Sequence, residues 1–174
     1  MLEQPGSERI TTALLASKLE VSEAALYRHF ASKAQMFEGL IDFIEHSVFS
    51  LINQIAEREG DGAQKAARMV DVLLQFGERN PGMARVMVGD ALVFENERLH
   101  QRMNQLFERV ESALRQVLRA AAEANKSATP TADAQVRAAV LVAFALGQLQ
   151  RFTRSGFKRS PLGHLEASLA LLCR

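Results

Sequence analysis

Apolar residues recur every three or four positions along most of this chain, and the pattern is most sustained between Lys33 and Glu59. A rotation of about 100° per residue in an α-helix gathers these residues on one broad face. That face consists of Phe37, Leu40, Ile41, Ile44, Val48, Leu51, Ile52 and Ile55. Ser32 precedes them and is suited to cap the helix. The alternating runs that indicate strands are almost absent, so we expect an all-α fold.

Glycine, proline and asparagine divide the rest of the chain into further helices. The sequence Gly-Asp-Gly at residues 60–62 ends the long helix, and Asn-Pro-Gly at residues 80–82 ends the next one. Residues 125–133 have the composition of a loop. We therefore expect helices at about 63–79, 83–89, 96–125, 134–154 and 162–172.

Residues 10–33 predict two short helices joined by a tight turn. Their apolar side chains can share one small core, formed by Leu15, Leu19, Val21, Ala25, Leu26 and Phe30. The residues that remain outside carry hydrogen-bond donors and almost no carboxylates, and they include Thr11, Thr12, Ser22, Tyr27, His29 and Lys33. We expect a helix-turn-helix head at residues 1–35 and a larger helical body at residues 36–174.

A helix-turn-helix places the start of its second helix against base edges in the major groove, while its first helix contacts the DNA backbone. Ser22 is suited to cap that second helix, so Glu23 and Ala24 would enter the groove first. This arrangement favours double-stranded DNA as a partner. The alternative is an ordinary helical hairpin in which Tyr27 and His29 are packing residues.

The charge of the chain restricts where nucleic acid can bind. Its 174 residues carry 21 lysines and arginines against 20 acidic residues, so any DNA affinity depends on a local cluster. Cys173 is the single cysteine, which excludes an internal disulfide and favours a reducing compartment. The start of the chain lacks a signal-peptide pattern, and the longest apolar run, residues 138–147, is about half of the ~20 residues that span a bilayer. We expect a soluble, cytoplasmic protein without a membrane span.

The head resembles that of the TetR-family regulators. Val21-Ser22, Leu26-Tyr27, His29-Phe30 and Lys33 match the pattern V-S-x-x-x-L-Y-x-H-F with a lysine shortly after it. The resemblance implies an all-α homodimer with a three-helix head, a body of about six helices, Phe30 in the head core and palindromic duplex DNA as the ligand. The expected DNA-binding residues are Thr11, Thr12, Ser22, Glu23, Ala24, Tyr27, Arg28, His29 and Lys33.

The head departs from the family pattern in two ways. Glu20 stands at a turn position where the family commonly has glycine, and a left-handed backbone costs a non-glycine residue about 1 kcal/mol. The chain also begins almost at the backbone-contacting helix. We therefore expect the first helix of the family's head to be missing, apart from a last turn at residues 1–3.

Longer motifs are similar to one subgroup of this family, the nucleoid occlusion factors. These motifs are S-E-A-A-L-Y-R-H-F at residues 22–30, F-G-E-R-N-P-G at 76–82, L-R-Q-V-L-R at 114–119 and R-F-x-R-S at 151–155. The resemblance implies a nucleoid-associated protein that binds dispersed palindromic chromosomal sites. When bound to DNA, with dimers side by side, it would antagonise the tubulin-like division protein FtsZ and prevent septum formation over the nucleoid.

The same resemblance places the C-terminal tail of FtsZ between the first two body helices, with Phe43, Arg79 and Asn80 as contacts. Phe43 and Phe49 lie away from the core face of their helix, so each is either packed by a neighbouring helix or exposed for a partner. Arg79 also fits a plain helix end, where its charge meets the helix dipole before the Asn-Pro-Gly stop.

The last two helices have the composition of a dimer interface. Residues 138–147 are apolar on every side, and Ala139, Ala143 and Gly147 recur every four residues. A matching stripe on the final helix consists of Leu165, Leu169 and Leu172. A two-fold dimer suits a reader of palindromic sites, and the alternative is an ordinary monomer core. A basic cluster beside these helices indicates a solvated helix end, and its residues are Arg151, Arg154, Lys158 and Arg159.

The sequence gives no support for an enzyme, a metal or a cofactor. Its four histidines are scattered, and Cys173 has no evident base beside it.

Two other hypotheses remain beside the division inhibitor. One is a TetR-type repressor released by a small apolar ligand, whose pocket could be lined by Met83, Met87 and Met103. The other is a DNA-independent helical dimer that scaffolds partners.

Overall fold

A computed structural model describes residues 2, 11–18, 20–58 and 60–173. Within these ranges the chain forms helices and turns without strands, as the apolar periodicity predicts. A 3₁₀ turn spans Asp90–Leu92. The α-helices are α1 Thr12–Lys18, α2 Glu23–His29, α3 Lys33–Glu57, α4 Gly62–Arg79, α5 Pro81–Met87, α6 Glu97–Ala124, α7 Pro130–Arg154 and α8 Leu165–Leu172.

Side-chain caps fix the start of several helices. The Oγ atoms of Ser22 and Ser32 accept hydrogen bonds at 3.1 Å from the backbone N–H groups of Ala25 and Gln35. Both caps confirm the prediction, and each contributes about 1 kcal/mol to its helix. The Asn96 side chain does the same for α6 by accepting from the Arg98 N–H at 2.9 Å.

The predicted loop at residues 125–133 is wrong in its second half. Helix α7 begins at Pro130, because proline lacks only an N–H that the first helical position would leave unpaired in any case. Asp133 then lies in the first turn, where its carboxylate accepts hydrogen bonds from Ser127 Oγ at 2.5 Å and Thr129 Oγ1 at 3.0 Å. The last helix is shorter than expected and begins at Leu165 rather than Leu162.

Helices α3, α4, α6 and α7 form the core of the body, packed in antiparallel pairs. The predicted stripe of α3 is buried, except that Leu51 at its edge stays exposed and Leu40 is half-buried. Helix α4 approaches its neighbours closely at two glycines. A Cβ at Gly62 would lie 2.1 Å from the Val117 carbonyl oxygen, and one at Gly77 would lie 2.4 Å from a Leu149 methyl. The two glycines therefore set the spacing of α4 against α6 and α7.

Helix α7 is long and apolar enough to cross a membrane by length and composition alone. In this fold it packs along α6, and its Gln135 side chain bridges Arg115 and Glu111 of that helix. Its inner face is part of the body core through Ala134, Ala138, Leu141, Ala145 and Leu149.

The described part of the head is less well covered than predicted. Ala16 and Leu26 are buried, but Phe30 keeps 37% of its surface exposed and Val21 is also exposed. The prediction of Phe30 as a core residue is therefore wrong, because Phe30 lies at the C-cap of α2, where the described part of the head leaves its ring partly uncovered. Glu20 has φ 55°, which confirms the left-handed turn. Leu19 and the expected absence of a first helix fall on residues outside the described ranges.

Candidate nucleic-acid interface and partner groove

The predicted DNA-binding residues lie on or beside α1 and α2 and are mostly accessible. Thr12 and Lys33 are half-buried. The exposed members of the set are Thr11, Ser22, Glu23, Ala24, Tyr27, Arg28 and His29. Ser22 is already engaged as the cap of α2, which directs the free backbone N–H groups of that helix towards the surface.

A short hydrogen-bond chain joins the two head helices. Thr12 Oγ1 donates to the Glu23 carboxylate at 2.8 Å, and the Tyr27 hydroxyl donates to Thr12 Oγ1 at 3.4 Å. The carboxylate at the start of α2 is therefore partly satisfied within the head. This pairing orients Tyr27 across the α1–α2 junction.

Lys33 differs most from its expected environment. Its ammonium group forms an ion pair with Glu95, in the turn before α6, and lies 5.8 Å from the centre of the Phe37 ring. The Lys33 side chain is only 19% exposed and the Glu95 side chain only 10% exposed. The first residue of α3 thus connects the head to the body rather than projecting freely towards DNA.

Further ion pairs hold the first half of α3 against α6. Arg98 pairs with Glu38 at 3.2 Å, and Arg102 contacts Asp42 at 2.8 Å and Glu45 at 3.0 Å. Burial of Arg102 lowers its pKa, but the hydrogen bonds to both carboxylates outweigh this and leave the pKa raised. The network holds α6 parallel to the head-proximal part of α3.

The line along which α3 packs on α4, called the α3–α4 groove below, carries the aromatic residue singled out by the sequence. Phe43 is 51% exposed, and its ring centre lies 6.5 Å from that of Phe76, with 38° between the ring planes. An aromatic pair at this distance forms a firm apolar floor. Phe49, by contrast, is half-buried under Arg109, whose guanidinium lies 3.9 Å from the ring centre. Of the two residues considered, only Phe43 offers a broad open surface.

Polar side chains line the α4 edge of this groove. Arg79 is exposed and donates to Gln75 Oε1 at 3.3 Å, while Gln75 Nε2 donates to Asp71 Oδ1 at 2.7 Å. Asn80 donates from Nδ2 to the Phe76 carbonyl at 2.9 Å and so closes the end of α4. The groove therefore combines an aromatic floor with one accessible cation at its head-proximal end, which suits a chain segment with apolar and acidic groups.

The predicted dimer residues separate into two groups. Ala139 and Ala143 are exposed on α7, and a Cβ at Gly147 would meet nothing within 4 Å. Leu165 and Leu169 are instead buried in the protomer's own core, and Leu172 is half-buried. Val136 and Val140 of α7 and Leu171 of α8 are also exposed, the last of them by 68%.

Neither the single cysteine nor the metal-ligating side chains form a reactive site in the part of the chain that the structure describes. Burial raises the pKa of the Cys173 thiol, which lowers its thiolate fraction and its nucleophilicity. Within the described ranges no three side chains of the metal-ligating types come together.

Comparison with known proteins identifies the family. Residues 1–40 match the family described as bacterial regulatory proteins, tetR family, and residues 62–174 match the family described as tetracyclin repressor-like, C-terminal domain. The chain is 51% identical to the nucleoid occlusion factor SlmA of Vibrio vulnificus (strain YJ016) over 173 residues, covering 99% of this chain and 88% of the relative. The chain belongs to the SlmA family of TetR-type nucleoid occlusion factors.

Other relatives agree with this assignment. The SlmA protein of Vibrio cholerae serotype O1 is also 51% identical, again over 99% of this chain and 88% of the relative. Among solved structures, the transcriptional regulator FadR of Bacillus subtilis in complex with stearoyl-CoA superposes with a TM-score of 0.71 at 15% identity, covering 94% of this chain and 87% of that one. FadR of Bacillus halodurans gives a TM-score of 0.63. At this identity the FadR structures show a shared fold alone.

Membership of the SlmA family makes this chain a DNA-binding regulator of the TetR type and not an enzyme.

Two residues of the sites described above were not predicted from the sequence as site residues. Phe76 belongs to a motif that reads first as a helix end, and only the packing of α3 on α4 reveals it as the partner of Phe43. Glu95 has no sequence signal, since its pairing with Lys33 spans 62 residues.

Proposed function

We propose that this SlmA-family protein acts in the cytoplasm on the nucleoid, as a DNA-dependent antagonist of FtsZ assembly that prevents septum formation over the chromosome. The head, residues 1–35, would read palindromic duplex sites. The body, residues 36–174, would dimerise and bind the C-terminal tail of FtsZ. The observation that carries the proposal is the exposed Phe43 ring, supported by Phe76 and placed beside Arg79.

The exposed half of the Phe43 ring is available to a partner. Covering the open half of the Phe43 ring would contribute on the order of 1 kcal/mol from apolar area alone. Phe76 lies beside the ring, with 6.5 Å between the two ring centres, and extends the apolar surface that a partner could cover. An acidic and apolar tail fits this groove, with the apolar part on the two rings and a carboxylate near Arg79.

A two-fold dimer would place two heads on one duplex, so that each head reads one half of a palindromic site. The face for that dimer consists of Ala139, Ala143, Gly147 and the exposed Val136, Val140 and Leu171. The small residues allow a partner helix to approach closely, and the valines and leucine would bury apolar surface. Leu165 and Leu169 are buried within the protomer, so they would not contact the partner directly, and Leu172 is half-buried. Pairs of dimers side by side on DNA extend the same proposal.

A ligand-released repressor is the weaker alternative. Such a protein needs an apolar cavity within its body. The centre of this body is filled by Ile41, Ile44, Met69, Leu73 and Leu106, each at most 1% exposed. A groove of 510 Å³ lies on the surface between α4 and α8, and Arg68, Asp71 and Glu166 are among its lining residues.

A binding measurement tests the proposal. A fluorescent peptide with the sequence of the FtsZ C-terminal tail is titrated with the protein, and anisotropy is recorded with and without a palindromic duplex selected from a random pool. We expect saturable binding of the peptide and a tighter complex when the duplex is present. An absence of peptide binding under both conditions would refute the role of the groove.

A further inference from the structure

Four cations crowd the end of α7 and the turn that follows it. Arg151, Arg154, Lys158 and Arg159 are all exposed. None of them forms an ion pair with a carboxylate in the described part of the chain, whereas six other arginines do. Since the whole chain has a net charge of only +1, this basic patch is a marked local concentration of positive charge.

Packing places the basic patch at the end of the body from which the head extends. Leu149, just before the patch, packs on Gly77 of α4, and Ser160, just after it, donates a hydrogen bond to Glu78. The same end of α4 carries Phe76, whose ring lies 6.5 Å from that of Phe43 of α3. Phe43 is ten residues, or about 15 Å of helix, from the start of α3 at the head. The far ends of α3, α4 and α6 lie at the opposite end of the body.

The turn that carries half of the patch is held in one conformation. The Phe157 ring lies 5.2 Å from the buried Phe152 ring, centre to centre. Ser155 Oγ donates to the Phe152 carbonyl at 2.8 Å and accepts from the Arg159 N–H at 2.9 Å. Lys158 and Arg159 therefore project from a defined backbone, which reduces the entropy cost of binding a ligand.

The chemistry of the basic patch suits a phosphate backbone better than a peptide. Peptide sites are anchored by accessible apolar pockets, but Phe152 is buried and Phe157 is packed against it. A duplex presents one charge per 1.7 Å or so of its length, and several neighbouring exposed cations can bind it without apolar contact. The head itself is poor in charge, because Lys33 is paired with Glu95 and Glu20 and Glu23 offset its cations.

We propose that Arg151, Arg154, Lys158 and Arg159 form a second DNA-contacting surface, on the body, that binds phosphates of the duplex read by the head. The inference rests on the proposed function, because it takes the bound duplex as given. It adds a sequence-independent contribution to affinity, which compensates for the weakly charged head.

The salt dependence of duplex binding tests this surface. The variant R151Q/R154Q/K158Q/R159Q is compared with the wild-type chain on a random-sequence duplex between 50 and 200 mM salt. Removing one cation that neutralises a phosphate makes the slope of log K against log salt shallower by about 0.9, so a fully engaged patch predicts a decrease of up to about 3.6 per protomer. We expect at least tenfold weaker binding at the lowest salt. The matched control, R58Q/R119Q/K126Q/R137Q, removes the same charge at the opposite end of the body and should leave the slope close to that of the wild type.

The possible results separate this inference from the proposed function. Equal slopes for the patch variant and the control would overturn the second DNA surface while leaving DNA binding by the head intact. A patch variant that keeps the wild-type slope but no longer binds the FtsZ tail peptide would assign the cations to the peptide site instead, which also overturns it. A wild-type chain that binds no duplex at any salt would refute the proposed function and the inference together. Circular dichroism melting of each variant verifies that the fold is retained.

Discussion

The ammonium group of Lys33 forms an ion pair with the carboxylate of Glu95, although the two residues are 62 positions apart in the chain. The pair joins the first residue of α3, immediately after the head, to the turn before α6 in the body. Both side chains are largely buried, so the pair is shielded from solvent. Family resemblance assigns the same lysine to DNA. One cation thus has two possible anionic partners, Glu95 and a phosphate, and cannot satisfy both equally.

Replacing Glu95 separates these two uses of Lys33. We expect E95Q to strengthen duplex binding severalfold, because the ammonium group becomes available to a phosphate. The same change should lower the free energy of unfolding by about 1–3 kcal/mol, because a partly buried cation loses its charged partner. Anisotropy with a labelled duplex and thermal melting measure the two effects. The exposed Glu97 supplies the control, since E97Q should change neither. Weaker duplex binding by E95Q would show that the pair positions Lys33 for DNA.

The aromatic pair in the groove gives the second prediction. F43A should weaken binding of the FtsZ tail peptide at least tenfold, because central aromatic anchors dominate the energy of such sites. The duplex affinity and the melting temperature should change little, since the ring is 51% exposed in the free protein. F94A removes an exposed ring in the turn before α6 and serves as the control. A peptide affinity that falls equally in both variants would argue against a specific role for Phe43.

The exposed face of α7 predicts how the dimer can be broken. In an isologous interface a residue close to the two-fold axis faces the same region of its partner. A143E should therefore bring like charges together without a route to solvent, and sedimentation equilibrium should show monomers. The control A120E adds the same charge to an exposed position on α6 and should leave the dimer intact. A dimer that survives A143E would place the interface elsewhere.

The start of α7 gives a prediction of pH dependence. Hydrogen bonds from Ser127, and then Thr129, hold the pKa of Asp133 below its ordinary value near 3.8. Because the pKa is lower in the folded state, the stabilisation is present above pH 4 or so and is lost as the pH falls through the folded value. In D133N, urea unfolding should therefore show a smaller fall in stability below pH 4 than in the wild type. An identical acid dependence in both proteins would show that these hydrogen bonds do not favour the ionised carboxylate.

The features that the sequence predicts correctly are local ones. The caps at Ser22 and Ser32, the buried stripe of α3 and the left-handed turn at Glu20 each depend on a few neighbouring residues. Position on a helix also indicates that Phe43 lies off the core face, but only the packed structure shows that it is open while Phe49 is covered by Arg109.

The incorrect predictions required knowledge of tertiary packing. The head pattern predicts a buried Phe30, but the two head helices leave it partly exposed. The leucine stripe on the last helix predicts a dimer interface, yet Leu165 and Leu169 complete the protomer core. The Lys33–Glu95 pair could not be inferred, because periodicity and capping carry no information about which residues meet across 62 positions.

The assembly of FtsZ itself tests the central claim most directly. Polymerised FtsZ is sedimented after incubation with GTP and the protein, with the selected palindromic duplex, with a scrambled duplex or with no DNA. We predict that the pelleted fraction falls only when the protein and the palindromic duplex are both present, and that T11A, which should bind the duplex weakly, has little effect. A pelleted fraction that is the same with and without the palindromic duplex would contradict the account.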